Sequence, residues 1–532
     1  MTITAAAAST AGIAHSRLGA TVVGLALAGG LHTAALFYIG HGFVDDSFIF
    51  FRYAENLASG HGFAWNIGEP PIEGQSSFLW LSLLAALHLT IGIELPRLAY
   101  WLGIIGSFTA LLLSWRLAWR CLSRPQRHLA VLIPITIAAS PLLARHAING
   151  LETSLAVLFY LAISLLWATT RIIRPSSAAT LGVASFVGFL IRPDSPAFSL
   201  PGSVLAILLA ASTRGVTLKH LAAFGASFAG SVGAFLLWKL AIFDAVLPLP
   251  ALIKFSPAQL YSDGPEFRRM LNLWLGFIGL LAPAGMLGLA GATMLQFKLP
   301  KATWPIIAGS LGFAGYLLTT VPIMNFDWRL HYPMLPPLLT LSVALWCEGL
   351  SRYKIQIPRS RAVAVVITIS AIWLALDGAS LANSTRNSAH QDLTMAGRHE
   401  ALGGALAEVP DVTVAYSEAG RVAFYSKAHF FDVAGINDRF VARHRRIGDI
   451  DQVFEHYLVD VVGLPDLIVR SPPAYQYASM DRLPRLRGQY ESACFDGLLL
   501  YLRSDSPRYA AITAALERAL LRTGKAQAPC RE

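Results

Sequence analysis

Charged residues are scarce in this sequence. They make up 14% of its 532 residues, whereas hydrophobic residues make up 55% and the mean hydropathy is +0.52. A soluble globular protein carries roughly 25% charged residues. The shortage of charge therefore excludes a soluble globular fold for most of the chain and predicts a polytopic α-helical membrane protein.

Cysteine is also rare, and its spacing excludes a familiar class of site. The four cysteines include no CxxC pair and no other metal-binding spacing. Two of them, Cys494 and Cys530, share the polar C-terminal region. They could form a disulfide if that region is extracytoplasmic, because disulfides persist in oxidising compartments.

The net charge of +10 does not indicate nucleic-acid binding, because the basic residues fall in short clusters between apolar runs. Such clusters are the signature of cytoplasmic loops in membrane proteins. With every basic loop placed in the cytoplasm, the apolar runs predict about eleven spans, an N-terminus inside and a C-terminus outside. The predicted spans are 18–39, 98–115, 129–143, 151–169, 178–191, 197–211, 221–243, 271–295, 304–321, 332–347 and 362–376.

Two apolar runs differ in length from a typical signal peptide or span. The first is longer than the core of a signal peptide, about 7–15 residues, and we interpret it as an uncleaved helix. The run at 76–91 is short, and a span there would place the arginine cluster at 116–127 outside. We therefore predict an interfacial helix at 76–91.

The composition changes after about residue 377. Short strands are predicted at 412–416, 467–469 and 498–502, and an amphipathic helix at 509–521. We expect a transmembrane domain at 1–380, with a polar loop at 40–96, and a small soluble α/β domain at 381–532. The soluble domain would lie on the same side of the membrane as the loop.

Two adjacent acids, Asp45 and Asp46, come directly after the first apolar run. Two carboxylates at a membrane boundary repel each other and meet little water, which is costly. The cost favours a role in chemistry or ion binding, and the alternative is a solvated helix cap.

Most other unusual polar residues fall in loops on the same predicted side. Mixed acids and bases there suit a reaction in which a hydroxyl loses its proton to a carboxylate and a phosphate leaves, its charge neutralised by cations. These residues are Arg52, His61, Glu73, Arg145, His146, Glu152, Arg192, Asp194, Asp244, Lys254, Asp327, Arg329 and His331.

The loop sequence after the two acids, FRYAENLASGHGFAWNIGEPPIEGQSSFLW, resembles the first extracytoplasmic loop of membrane glycosyltransferases of the C superfamily (GT-C). The terminal arabinofuranosyltransferase family of actinobacteria and its Gram-negative relatives are the most similar. Looser similarity continues through NGLETSL at 149–155, RPDS at 192–195, LPLPALIK at 247–254 and NFDWRLHYPMLP at 325–336. It also includes AYSEAGRVAFYSKAHFFDVAGIND at 415–438, and so touches most of the chain.

The resemblance implies transfer of a sugar, arabinofuranose being one candidate, from a polyprenyl-phosphate donor. The acceptor would be a cell-envelope glycan or lipid at the periplasmic face of the inner (plasma) membrane. It implies that Asp45 is the base, that Asp46 binds the acceptor, and that Lys254 and Arg329 hold the lipid phosphate. The remaining residues expected to bind the donor phosphate or substrate are Arg52, His61, Glu73, Asp327 and His331. The chain departs from the family pattern at Asp194 and Glu418, which leaves their roles open.

Simpler roles compete with these. Lys254 and Arg329 could anchor helix ends at lipid headgroups, and His61 and His331 could make interfacial hydrogen bonds. Glu73 could cap the interfacial helix. A divalent cation, Mg²⁺ or Ca²⁺, needs several oxygen ligands. Only Asp45, Asp46, Glu73 and Asp327 are well placed for one, so metal dependence stays open.

Two other classes of function compete with sugar transfer. A transporter or flippase of lipid-linked sugars favours inverted repeats and polar groups near the middle of the membrane, and the sequence has neither. A membrane scaffold with a partner-binding domain leaves Asp45 and Asp46 unexplained. The sugar, the acceptor and the stereochemistry of transfer are not encoded in any pattern that we recognise.

Overall fold

The computed structural model describes residues 2–40, 42–169, 174–214, 218–254, 264–321, 324–352, 379–444, 450–470, 483–523 and 530. The chain divides into two compact units, each built from separated segments. The helical unit comprises Met1–His41, Tyr100–Phe235 and Pro257–Ala389. The mixed unit comprises Gly42–Ala99, Leu236–Ser256 and His390–Glu532. The domain boundary expected near residue 380 rests on composition and stays a prediction.

Apolar helices dominate the first 352 residues. They are α1 (Thr2–Ile39), α2 (Asp45–Ala58), α3 (Phe78–Ile91), α4 (Leu95–Cys121), α5 (Leu132–Ala139), α6 (Pro141–Ala147), α7 (Thr153–Thr169), α8 (Pro175–Ile191), α9 (Pro196–Arg214), α10 (Leu218–Phe243), α11 (Leu249–Lys254), α12 (Gly264–Met294), α13 (Trp304–Leu317) and α14 (Leu335–Arg352). Short 3₁₀ turns lie at Arg124–Val131, Lys301–Thr303, Phe326–Trp328 and Tyr332–Met334.

Within the described residues, five helical segments are long and apolar enough to cross a membrane. They are Gly19–Ile39, Leu95–Cys121, Leu218–Phe243, Phe267–Met294 and Phe326–Arg352. The pair Arg124–Ala139 and Pro141–Ala147 is apolar enough as well, but it bends by 66° at the predicted third span, as a broken span or a re-entrant loop does. Helices α7, α8, α9 and α13 lie at the predicted fourth, fifth, sixth and ninth spans. The apolar part of each is shorter than the roughly 20 residues that a span needs. The predicted eleventh span, 362–376, lies outside the described residues, so the count of eleven stays a prediction.

Helix α3 falls where the sequence predicts an interfacial helix. Its 14 residues reach about 21 Å at 1.5 Å per residue, which is less than the roughly 30 Å thickness of a bilayer's hydrocarbon core. One side of α3 is buried through Trp80, Leu81 and Leu84. Its length fits the interfacial position, which stays a prediction.

Small residues let the helices of the helical unit approach closely. A Cβ added at Gly103 of α4 would lie 1.9 Å from the carbonyl oxygen of Ala147, and one at Gly291 of α12 would lie 2.3 Å from that of Leu345. Close backbone approach at glycine is a main source of packing between helices in lipid. The buried His32 of α1 also bonds to Ser107 of α4 at 2.7 Å.

The mixed unit contains a five-stranded sheet in the order β2-β1-β3-β5-β4. Strand β1 pairs in parallel with β2 and β3, whereas β5 pairs antiparallel with β3 and β4. The strands are β1 (Thr413–Tyr416), β2 (His429–Asp432), β3 (Leu467–Val469), β4 (Tyr490–Phe495) and β5 (Leu498–Arg503). The C-terminal helices are α15 (Ala379–Leu406), α16 (Arg421–Ser426), α17 (Arg439–His444), α18 (Ile450–His456) and α19 (Tyr509–Thr523).

The predicted α/β character of the C-terminal region is confirmed. Three of the five strands and the amphipathic helix α19 fall where the sequence predicts them. The two cysteines of this region, Cys494 on β4 and Cys530 near the chain end, form a disulfide. The bond therefore ties the C-terminal tail to the edge of the sheet.

Candidate active site

The carboxylate of Asp45 is bound by backbone amides of the mixed unit. Asp45 opens α2, whose aromatic face packs Phe48 against Phe424 of α16. The N–H of Gly420 donates to Asp45 Oδ2 at 2.7 Å, and the N–H of Arg421 donates to Oδ1 at 2.9 Å. A stretch 375 residues further along the chain therefore holds the acid that the sequence singles out.

Glycine at position 420 is a requirement of this contact. A Cβ added there would lie 2.0 Å from the carbonyl oxygen of Asp45 and 2.4 Å from its Oδ2. Real Cβ atoms essentially never come so close to other heavy atoms. Gly420, the last residue of the sequence SEAG at 417–420, thus allows two backbone segments to meet at the carboxylate.

The contacts keep Asp45 ionised. Burial raises the pKa of its carboxyl, but His399 and the backbone N–H and charge of Arg421 outweigh burial and hold the pKa below its ordinary value. Oδ2 accepts one described hydrogen bond, and a carboxylate oxygen has lone pairs for two. The side chain also keeps 17% of its surface exposed. Asp45 therefore has both the charge and the room to accept a proton.

Glu418 lies near three other acids, Asp45, Asp46 and Asp432. Burial, followed by the charges of Asp45, Asp46 and Asp432, raises the pKa of Glu418 to about 8. Burial raises the pKa of Asp432 to about 7, although Asn437 and Ala434 donate hydrogen bonds to its carboxylate. At neutral pH the group therefore contains an ionised acid, Asp45, beside a protonated one, Glu418.

Replacing Glu418 with Gln should make the protein more heat-stable at alkaline pH. The folded-state pKa of Glu418 lies above its unfolded value, so its stabilising contribution is complete below about pH 4.5 and is lost as pH rises through about 8. We expect the melting temperatures of the wild type and Glu418→Gln to diverge as pH rises from about 4.5 to about 8, and to keep their difference above that pH. The variant of a partly exposed acid, Glu55→Gln, serves as control. Parallel pH profiles of wild type and Glu418→Gln would contradict the placement of Glu418 among acids.

Arg52 is a structural residue in this geometry. Its Nε donates to the carbonyl oxygen of Trp65, and its other donors bond to the carbonyl oxygens of Ala423 and Ala428 and to Oδ1 of Asn66. Four of the five guanidinium N–H groups thus donate to protein acceptors. These contacts join the loop after α2 to α16 and to the residue before β2, and the role of Arg52 in phosphate binding stays a prediction.

The other predicted residues of the mixed unit differ in environment. His61 is exposed. Glu73 is buried in an ion pair with Lys239 of α10, at 2.6 Å from Oε2 to Nζ. Burial raises the pKa of Glu73 to about 7 even with this partner. Lys254 closes α11, and its side chain lies outside what the structure describes.

The helical unit has its own cluster of buried charges, centred on Glu152 before α7. Arg329 donates through one terminal nitrogen to both Glu152 oxygens, at 2.8 and 3.0 Å. Arg192 lies 4.0 Å from Glu152 and forks onto Asp194 at 3.1 and 2.5 Å. The Nε of Arg329 is buried and has no hydrogen-bond partner among the described residues. Arg329 therefore retains a donor for an anionic oxygen.

Asp327 and His331 belong to the same loop as Arg329. Asp327 accepts from Arg145 Nε at 3.1 Å and adopts a left-handed backbone conformation, φ 47°, as does Trp328 at φ 54°. Strain of this kind persists only where surrounding contacts fix it. His331 bonds to Asn325 at 3.1 Å, and no residue in the described part of the chain bonds to its buried Nε2. Asp327, Arg329 and His331 thus share one loop but bond to different partners, and their roles in binding stay predictions.

The described part of the chain contains no three-residue site of this kind for a divalent cation. No group of three or more His, Cys, Asp or Glu side chains there is arranged to hold a metal ion.

Sequence reasoning missed His399, Lys239 and the binding role of Arg421. His399 and Arg421 lie more than 350 residues from Asp45, and Lys239 lies inside a predicted span. Of the three, only Arg421 lies in a stretch that the family resemblance includes, residues 415–438.

The fold can now be compared with known proteins. Residues 386–515 match a family described as a domain of unknown function (DUF8728). No curated protein matches the chain.

Solved structures provide the clearer match. ArnT from Cupriavidus metallidurans bound to undecaprenyl phosphate matches with a TM-score of 0.55 at 12% identity, covering 92% of this chain and 98% of ArnT. The apo state of ArnT matches with a TM-score of 0.54, also at 12% identity, covering 91% of this chain and 98% of ArnT. The Archaeoglobus fulgidus oligosaccharyltransferase tethered to an NVT acceptor peptide matches with a TM-score of 0.51 at 10% identity, covering 94% of this chain and 71% of that one. This chain therefore has a fold similar to those of ArnT and the oligosaccharyltransferase.

Proposed function

We propose that this protein is an integral membrane glycosyltransferase that uses a polyprenyl-phosphate sugar as donor. The acceptor is a cell-envelope glycan or lipid at the periplasmic face of the inner membrane. The observation that carries the proposal is the ionised, partly accessible carboxylate of Asp45 on the amides of Gly420 and Arg421. A fold similar to that of ArnT around such a carboxylate supports sugar transfer from a lipid carrier.

In the proposed reaction an acceptor hydroxyl attacks the anomeric carbon of the donor sugar. The new bond joins the hydroxyl oxygen to this carbon, and the bond from the carbon to the phosphate oxygen breaks. The bonding electron pair leaves with polyprenyl phosphate, and the hydroxyl proton goes to Asp45. A carboxylate in hydrogen-bond reach of a reacting hydroxyl is a common general base.

The other roles follow from the chemistry of each side chain. We assign acceptor binding to Asp46, and donor phosphate binding to Arg329 and Lys254. The unpartnered Nε of Arg329 supports its assignment, since a guanidinium donor suits a phosphate oxygen. The sequence resemblance favours arabinofuranose as the sugar. Mg²⁺ or Ca²⁺ dependence is tested by a chelator arm in the assay below.

The assay uses membranes that contain the protein, their own acceptors, and added polyprenyl-phosphate arabinofuranose, followed by other polyprenyl-phosphate pentoses and hexoses. We expect labelled sugar to enter the acceptor fraction and free polyprenyl phosphate to appear, with and without a chelator as separate arms. Membranes without the protein are the control. Release of no polyprenyl phosphate from any donor would contradict the proposal.

The same assay discriminates the transporter alternative. A flippase moves a lipid-linked sugar across the bilayer with its sugar–phosphate bond intact. Movement of the labelled donor between leaflets without release of polyprenyl phosphate would therefore favour transport over transfer.

The Cys494–Cys530 disulfide supports an extracytoplasmic C-terminal region, because such bonds persist in oxidising compartments. We therefore expect an impermeant thiol reagent to label His390→Cys but not Arg124→Cys in intact cells. Both native residues are exposed. The two cysteines outside the disulfide, Cys121 and Cys347, are buried and give little background. The reverse labelling pattern would contradict the orientation.

A further inference from the structure

His399 is a buried residue that no predicted role includes. It lies on α15, and 3% of its side chain is exposed. Its Nδ1 lies 3.6 Å from Oδ1 of Asp45, and its Nε2 lies 3.1 Å from the hydroxyl oxygen of Tyr416 on β1. Tyr416 is also fully buried. The three side chains thus form a row from the sheet to the proposed base.

We propose that His399 is the positioning residue of the base, holding Asp45 in its reactive orientation through Nδ1 while Tyr416 fixes the imidazole. This inference rests on the proposed function of Asp45. It concerns a residue that does not touch substrate and acts through the carboxylate.

The hydrogen-bonding roles follow from the partners. An ionised carboxylate can only accept, so Nδ1 of His399 carries a proton toward Asp45. In the neutral imidazole Nε2 is then an acceptor, and the Tyr416 hydroxyl is its donor. This is the logic of a base oriented by a third group, which recurs in catalytic sites on unrelated folds. The 3.6 Å separation is longer than a hydrogen bond, and such contacts often tighten when substrate is bound.

Charges from several elements face the same carboxylate. Arg421 of α16 contributes its backbone N–H and its charge, and its side chain is paired with Glu400 of α15 at 2.7 Å. Asp46 of α2 opposes the ionised form by repulsion, and Glu418 before α16 adds to this repulsion only as it ionises near pH 8. His399 is therefore one of several groups that set the pKa of Asp45. Its removal should raise the pKa of Asp45 without abolishing the function of Asp45 as base.

Two substitutions separate positioning from simple packing. In His399→Asn the amide nitrogen can take the place of Nδ1 and still face Asp45. In His399→Gln the amide takes the place of Nε2 and faces Tyr416 instead. Both remove the ring and leave a buried amide, so each is a matched control for the other.

The experiment measures initial rates of transfer from polyprenyl-phosphate arabinofuranose, or from the donor that the wild type uses, between pH 4.5 and pH 8. We expect His399→Asn to stay within about threefold of the wild type. We expect His399→Gln to lose about tenfold, with the acid limb of its profile moved upward by about one pH unit, because an opposite or donating neighbour typically shifts a carboxyl pKa by 1–3 units. Tyr416→Phe should fall between them.

One outcome would reduce His399 to a packing residue and overturn the inference. In that outcome the Asn and Gln variants lose equal transfer activity in step with lowered melting temperatures, and the acid limbs of their pH profiles do not move. Wild-type rates in His399→Gln would overturn it as well, while leaving the proposed function intact. An infrared pH titration of the Asp45 carboxyl band, assigned with Asp45→Asn, needs no turnover. A band that titrates at the same pH in the wild type and in His399→Gln would also overturn the inference.

Discussion

Asp45→Asn should lower the initial rate of sugar transfer by about 10²–10⁴-fold, the usual effect of losing a general base. Asparagine keeps the shape of the side chain but cannot take the acceptor's proton. The donor should still bind, because none of the residues assigned to the lipid phosphate is changed. The measurement is transfer in membranes supplied with a polyprenyl-phosphate sugar, normalised to the amount of folded protein.

The structure adds a condition to this experiment. Both Asp45 oxygens accept from backbone N–H groups, so the amide nitrogen of an asparagine would face one of these donors. An unsatisfied buried group of this kind costs about 1–3 kcal/mol. Melting of the detergent-extracted variant must therefore be compared with that of Glu55→Gln, which alters a carboxylate of the same helix paired with Lys427 near the surface.

The neighbouring acid distinguishes two versions of the mechanism. Asp46→Asn should be milder than Asp45→Asn if Asp46 only orients the acceptor. Equally severe losses, together with inhibition by a chelator, would indicate that the two acids share a metal ion. Near-normal turnover by folded Asp45→Asn would remove Asp45 from the reaction.

The second large effect is expected at Arg329. Arg329→Ala leaves Glu152 buried with only the longer contact to Arg192, and breaking a buried ion pair from one side typically costs 3–5 kcal/mol. We expect most of this variant to be lost to unfolding or degradation in cells. The amount of detergent-extractable, monodisperse protein is the measurement.

A double variant separates stability from donor binding. Glu152→Gln combined with Arg329→Gln removes both charges and keeps two side chains that can bond to each other. We expect it to be more stable than Arg329→Ala and to bind a polyprenyl-phosphate analogue at least tenfold more weakly than the wild type. Full binding by the folded double variant would reduce Arg329 to a structural partner of Glu152. Lys254→Ala provides the corresponding test at the other assigned cation.

The sheet shows how far sequence patterns reach. The three predicted strands, β1, β3 and β5, are the central ones, with neighbours on both sides and mostly apolar sequences. The two missed strands, β2 and β4, are the edges. Strand β4 has the sequence YESACF and leaves Glu491 and Ser492 exposed, so its apolar pattern is weak. Edge strands bury less surface and therefore carry less of the signal that prediction depends on.

The candidate site divides in the same way. Asp45 and Asp46 could be singled out because two acids after an apolar run are costly wherever they lie. The groups that give Asp45 its properties could not, since the contacts with His399, Gly420 and Arg421 depend on the folding of a distant segment. Lys239 was hidden within an apolar run, and only the fold reveals that Glu73 is its partner.

The most direct test of the central claim is the glycan composition of the cell envelope. Mass spectrometry would compare a strain lacking the gene with the same strain complemented by the wild type or by Asp45→Asn. The account predicts that one sugar residue is missing from an envelope glycan or lipid without the gene, returns with the wild type, and stays missing with Asp45→Asn. Identical envelope glycans in all three strains would contradict it.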